Sequence, residues 1–575
     1  MPLSRRLLCW FVLGALLLAA APPPAAAAPR DELLRLVPDD VGFCLVVQDL
    51  RGHAAALAES DFFRHLRTSE LGQLITRDAE FQKLAAFEKV LEKHLGLTGV
   101  KLRDDLLGDA VVLAYRPGPP GKPEQEQGLL LLRARDPRLL ADFIDRLNAV
   151  QKKSGELEEL RPREHHGRKY FQRVEKKGDN FYCLNGPVLA LSPQEAMLRQ
   201  ALDLDRTAPA DQEPAVARRL RELGADRQLA ALWINPPAFT PEIEWKASRA
   251  AEKEAAALKH FLACWKALEA AALSFGVEND FALTLTLRAR TERLPAPLRK
   301  LLAEAATPSE LWGRFPADAL LAAAGQIDAL GALEFLDGFL TPETRQALHR
   351  SLDGIGAAVG KKGIREVLPW LGPDVGLCVT APPAGAGGWF PQAVLAVRVR
   401  SGGGDAPVDQ ALLSAIQSYA MLAVVSYNSQ HKDQLVLKTA RADGLEVKYL
   451  AGDRAFPPGL RPAFALHGSY LLLASSPEAV QRFASMGAAA PVGADEVPLL
   501  RMSLKDLRQY LAKNREALIA ASAEANQVPP DEARRGLEGL LSVLQHFDRL
   551  ELTHRAAAGQ FSLTLRVQPA RALQK

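Results

Sequence analysis

The chain is poor in the features that usually announce chemistry. It has 5 cysteines in 575 residues, and Cys44, Cys183, Cys264 and Cys378 stand far apart with no C-x-x-C pair among them. That spacing excludes a local dithiol motif. Cys44 in "VGFCLVV" and Cys378 in "VGLCVTA" lie in apolar, strand-like runs, the setting of buried free thiols. A chain of this length needs no disulfide to hold a core. An excess of charge of one sign is lacking too: 71 Lys and Arg stand against 68 Asp and Glu, for a net charge of +3. Phosphate neutralisation requires a basic excess on some face, so this balance argues against nucleic acid as a partner.

Catalytic signatures are absent as well. The sequence contains no G-x-x-x-x-G-K-[ST], H-E-x-x-H, G-x-S-x-G or C-x-x-C-H. "SGGGDAP" at 401–407 lacks the lysine of a phosphate loop and reads as a connection. His165 and His166 are neighbours, and adjacent residues of a strand point to opposite faces. With no further ligand at metal spacing nearby, they read as an exposed turn. Asp39 and Asp40 in "PDD" precede a strand, where acids are usually turn formers. No catalytic residue, cofactor or metal ligand is therefore assigned. Aromatics make up only 6%, which makes "GAGGWFP" stand out. Trp389 and Phe390 fall there on an expected hairpin tip and are the binding candidates. The competing reading tucks them under the sheet.

What is present begins at the N-terminus. Arg5 and Arg6 precede an apolar run from Leu7 to Ala21, followed by a Pro/Ala stretch. This is the order of a secretory signal peptide, expected over residues 1–28, and the run is short for a membrane span. The expected location is extracytoplasmic, with an uncleaved N-terminal anchor as the alternative. No later segment is expected to span a bilayer. The long stretch "EWKASRAAEKEAAALKHFLACWKALEAAAL" mixes Glu and Lys, so it reads as packing on its own sheet and not on a membrane surface.

Landmarks recur in the same order along the chain. Pro38 matches Pro316, Gly108 matches Gly372, Gly186 matches Gly468 and Phe281 matches Phe561, at offsets of 278, 264, 282 and 280 by subtraction. "GRKYF" at 167 and "EVKYL" at 446 add an offset of 279. Ordered recurrence of this kind points to tandem duplication. The expected layout is a first repeat over 29–291, a linker over 292–311, a second repeat over 312–568 and a tail over 569–575.

Within a repeat the signals are strands, hairpins and capped helices. "AVVLAYR" and "GLLLLRAR" flank a turn-rich loop. In "DPRLLADFIDRLNAV", Asp136 can cap a helix with Pro137 at its first position, and Leu140, Phe143, Ile144 and Leu147 share one face. Ser192-Pro193 and Ser476-Pro477 open a second helix type in the two copies. A long helix is expected from about Glu242 to Leu273, then a hairpin across "VEND". The expected fold class is α+β: two tandem similar domains, each a mainly antiparallel sheet with helices packed on one face.

This layout resembles a loose group of uncharacterised exported bacterial proteins with two similar α+β repeats. Pro38–Val47, Leu106–Tyr115, Ser192–Met197, Leu371–Val379 and Ser476–Val480 carry the resemblance. Those motifs are caps and turns, so the resemblance implies no activity, cofactor or site residue. The expected function is a non-catalytic, exported binding or scaffold protein whose partner is an envelope component or another protein. The alternative is an exported enzyme without a recognisable motif, of hydrolase type.

Overall fold

The computed structural model describes residues 28–207, 212–383, 385, 388–400, 408–442, 444–452, 454–486 and 496–570. Residues 1–27 of the expected signal peptide and residues 401–407 lie outside them. The fold is α+β, built on one antiparallel sheet of 20 strands. The first ten are β1 (Phe43–Gln48), β2 (Ala110–Arg116), β3 (Gln127–Arg133), β4 (Leu157–His165), β5 (Arg168–Glu175), β6 (Asn180–Asn185), β7 (Val188–Ser192), β8 (Ala230–Ile234), β9 (Leu268–Val277) and β10 (Phe281–Ala289). The second ten are β11 (Leu321–Gln326), β12 (Leu371–Thr380), β13 (Gln392–Val399), β14 (Val436–Ala442), β15 (Leu445–Ala451), β16 (Ala463–His467), β17 (Tyr470–Ala474), β18 (Val497–Ser503), β19 (Phe547–Ala557) and β20 (Gln560–Pro569).

In the first set the pairing order is β4-β5-β6-β7-β3-β2-β1-β8-β9-β10. In the second it is β14-β15-β16-β17-β13-β12-β11-β18-β19-β20. The connectivity is the same in both. Each set also has its own buried clusters: Cys44, Leu131, Met197 and Trp233 share one, and Cys378, Ala396, Leu472 and Phe483 share another.

The two sets meet where β10 pairs with β20. Thr284 stands opposite Thr564, and their hydroxyls are 3.1 Å apart. At the sequence offset of 280, Thr284 faces its own counterpart. The pairs Phe281–Val567 and Leu287–Phe561 are then the same pair seen from either side. This is the self-complementary geometry of a two-fold interface, made here within one chain.

Local chemistry explains the elements. The Asp136 carboxylate accepts from the Arg138 N–H at 2.8 Å, and Pro137 opens the helix Pro137–Ser154. Ser476 Oγ accepts from the Ala479 N–H at 3.2 Å at the head of Pro477–Ser485. Ser192 Oγ accepts from the Gln194 N–H at 3.1 Å, and its helix begins only at Glu195. Gly186 and Gly468 follow β6 and β16 with φ of 57° and 58°, a region that glycine enters without penalty. An arginine near the end of the third strand of each set bridges two acids. Arg133 contacts Asp109 at 2.6 Å and Glu32 at 2.7 Å, and Arg398 contacts Asp374 at 3.3 Å and Glu310 at 3.0 Å.

Four expectations are corrected. The strand sets form one sheet and not two separate ones, because β10 and β20 close it into a continuous ladder. Helices pack on both faces and not on one. Residues from the helices Pro29–Leu34, Glu195–Thr207 and Ala215–Glu222 cover the face bearing Cys44, Val46 and Leu131. Pro137–Ser154 covers Leu132, Leu189 and Tyr182 on the other. The long helix is instead two, Pro236–Arg249 and Glu252–Ala267, and β9 starts at Leu268. Finally, Val408–Gln430 is by length and composition apolar enough to cross a membrane, contrary to the expectation that no later segment would be. It packs through Val408, Leu412 and Ala415, and leaves Tyr419, Met421, Leu422 and Val425 exposed.

Candidate functional site

A half-open hydrocarbon surface runs across the middle of the sheet, on the face opposite Cys44. Strand alternation sends every second side chain there. Register then aligns leucines strand by strand: Leu191, Leu130, Leu113, Leu45, Leu232, Leu273, Leu285 and Leu563 are each directly opposite the next. The second set produces the matching row Leu473, Leu395, Leu377, Ala323, Leu500, Leu552, Leu565 and Leu283. Seven inter-strand steps of roughly 4.8 Å make each row about 34 Å long. The two rows overlap at the β10–β20 joint.

These leucines are not sealed in. Leu113, Leu273, Leu285, Leu283, Leu377, Leu473 and Leu563 keep between 37% and 42% of their surface accessible. Phe275 continues the second row beyond Leu283 and is open to a similar degree. Contiguous exposed apolar area of this kind marks a binding surface more often than a free one. Helices frame it at the strand ends. Phe62 packs edge-on against Phe281 at 5.2 Å, and it also meets Phe547 of the second set at 5.6 Å. Phe239 stacks on Tyr115 at 6.3 Å. Reciprocally, His260 of the first set sits against Phe335 and Phe339 of the second. Each set therefore lends a helical residue to aromatic contacts with the other.

The rows hold almost no polar chemistry. Their continuation beyond Leu563 reaches His554 on β19, the counterpart of Phe275. His554 is 8% exposed, and neither ring nitrogen has a hydrogen-bond partner among the described residues. Burial holds its pKa below the usual histidine value. The sign follows: folded His554 is neutral, whereas the unfolded chain takes up a proton near pH 6.5. Its contribution is therefore intact above about pH 6.5 and is lost as pH falls from there toward the folded pKa. His546 is also buried, and desolvation and then His65 push its pKa down as well. His554→Phe, the residue at the corresponding register position of the first set, should flatten the acid side of the stability profile. Denaturant midpoints at pH 7.5 and 5.5 measure this; an unchanged pH dependence would show that His554 does not carry it.

The sequence candidates lie elsewhere. Trp389 and Phe390 are half-buried just before β13, their rings 5.9 Å apart. The Trp389 carbonyl accepts from the Tyr510 hydroxyl at 2.9 Å, and the Phe390 N–H donates to the Pro458 carbonyl. Asp40 is occupied by Arg116. All four described cysteines are free thiols, and burial pushes Cys44 and Cys378 up to about 12, which leaves them unreactive. The leucine floor was missed because its signal is distributed: "FALTLTL" and "FSLTLRV" show alternation, but only register lines the leucines up. No protein-family model matches the chain, and neither a curated protein nor a solved structure matches it.

Proposed function

We propose that the chain is a non-catalytic binding protein, acting outside the cytoplasm, that holds the acyl chain of a lipid on the leucine floor. The observation that carries this reading is the pair of in-register rows, continuous across the β10–β20 joint, with seven of their leucines open to solvent. Strand N–H and C=O groups inside the sheet are already paired with their neighbours, so the floor offers hydrocarbon and no hydrogen bonds. An extended polypeptide laid on it would leave its own backbone unsatisfied, whereas an acyl chain has nothing to satisfy. A membrane's hydrocarbon core is about 30 Å thick and holds two leaflets, so a row of about 34 Å is long enough for a chain from each set.

The shared connectivity, the repeated Arg133 and Arg398 bridges and the two-fold joint support an origin by internal duplication. The signal-peptide pattern of residues 1–28 supports export. Against the alternative of a hydrolase stands the content of the rows, whose one titratable side chain is His554. The test is a titration of the mature chain with a fluorescent fatty acid, followed by displacement with an unlabelled one. Saturable binding with competition is the expected result. Binding that never saturates, or none at all, overturns the proposal; capture of an amphipathic peptide that a fatty acid cannot displace would assign the floor to a protein partner.

A further inference from the structure

We propose that His165, His166 and Asp203 form a site for a divalent transition-metal ion of the zinc class, separate from the leucine floor and independent of the acyl-binding reading. The turn between β4 and β5 makes it possible. His166 and Gly167 both have positive φ, 48° and 82°, the signature of a two-residue hairpin turn. His166 is thus lifted out of the strand, and the alternation that would send adjacent imidazoles to opposite faces does not apply. The two rings come together with centroids 4.2 Å apart.

The third donor comes from the helix Glu195–Thr207. Asp203 presents its carboxylate to both rings: His165 Nε2 lies 3.0 and 3.1 Å from its oxygens, and His166 Nε2 lies 3.7 Å from one of them. One donor atom from each residue falls within 4.8 Å of the others. Zinc bonds of about 2.0–2.1 Å in a tetrahedron put ligand atoms about 3.3 Å apart. The His–Asp separations of 3.0 and 3.7 Å bracket that value, so a small movement of the exposed His166 side chain closes the site. Two imidazoles and a carboxylate suit zinc, nickel, cobalt or copper and not calcium or magnesium, which take oxygen ligands. Three protein ligands leave one coordination position open for a water or for an outside donor.

The ion would staple the tip of the β4–β5 hairpin, at the free edge of the sheet, to the helix behind it. Among the described residues the second set has no such cluster, and the sequence "ARADGLEV" that spans its β14–β15 turn contains no histidine. Arg206 lies close enough to act on Asp203, and its charge opposes the cation. That favours a moderate affinity over a tightly held structural ion.

The experiment is calorimetric titration of the full mature chain, free of any affinity tag, with Zn²⁺. Co²⁺ is titrated in parallel, and its visible absorption reports coordination geometry. One equivalent is expected to bind, with the cobalt spectrum of a tetrahedral N/O site. His166→Ala is expected to weaken binding by at least about tenfold. His166 is 56% exposed but stands at φ 48°, so His166→Asn, a residue that tolerates the left-handed region, is measured beside it to remove the imidazole while keeping the turn. His165→Ala/His166→Ala should abolish the cobalt spectrum. Absence of binding at millimolar zinc overturns the proposal, as does stoichiometric binding that survives the double variant.

Discussion

Replacing Trp233 by alanine is expected to lower the stability of the fold by about 3–5 kcal/mol, the usual cost of deleting a large buried aromatic side chain. Trp233 is 2% exposed in the middle of the first core. Its strand, β8, is clamped between β1 and β9, with Trp233 opposite Cys44 on one side and Ala272 on the other. Small neighbours on both sides leave the indole as the main filler of that layer, and alanine would leave a cavity that they cannot close. The Arg219 guanidinium lies over the ring at 4.7 Å while donating to the Asp39 carbonyl at 3.2 Å. Removing the ring thus also removes a cation–π contact and loosens the helix Ala215–Glu222. In the second set Arg501 occupies the matching strand position and lies 5.4 Å from the ring of Trp312, which comes from the segment Glu310–Gly313 before β11. The change should appear as a lower midpoint in guanidinium unfolding followed by circular dichroism. A loss under about 1 kcal/mol would show that the core refills the space.

Much of this architecture was legible along the chain, and the parts that were not share a cause. Hairpins and caps are local, so Asp136-Pro137, Ser476-Pro477 and the glycines after β6 and β16 could be read directly. The continuous sheet was not legible, because "FALTLTLRA" says that β10 has an apolar and a hydroxyl face but not which strand it pairs with. Helices on both faces had a readable sign: "GLLLLR" has no alternation, which is what a strand buried on both faces looks like. "ALEAAAL" was read as the end of the long helix expected to reach Leu273, yet β8 and β10 flank Leu268–Val277 and draft it into the sheet. Propensity lost there to tertiary pairing.

The candidate sites follow the same rule. Trp389 and Phe390 were conspicuous in sequence and turn out to be half-buried beside Tyr510. His165 and His166 were visible, but Asp203 is 38 positions away, and the left-handed turn that brings the rings together depends on His166 itself. The leucine rows are the extreme case. Every member but Ala323 is an ordinary strand leucine, and the function we propose resides in their alignment.

That alignment can be broken without breaking the sheet. Leu285 and Leu563 stand directly opposite each other at the β10–β20 joint, 40% and 38% exposed. Leu285→Lys/Leu563→Glu places opposite charges in that cross-strand position, where such pairs are favourable by about 0.2–1 kcal/mol. Both heads can reach water, so stability should move by no more than about 1 kcal/mol. An acyl chain crossing the joint would lose its contact with two leucines and lie against charged groups. At about 0.8 kcal/mol per methylene no longer buried, four methylenes amount to roughly 3 kcal/mol. Fatty-acid affinity should therefore fall by on the order of 100-fold. Leu160→Lys is the control, since Leu160 is as exposed (38%) but sits on the edge strand β4, outside both rows. Equal loss in the control would mean that probe binding follows general surface hydrophobicity. Loss confined to the joint pair would place the chain on the floor, and an unchanged affinity in both variants would remove the floor from the account of binding.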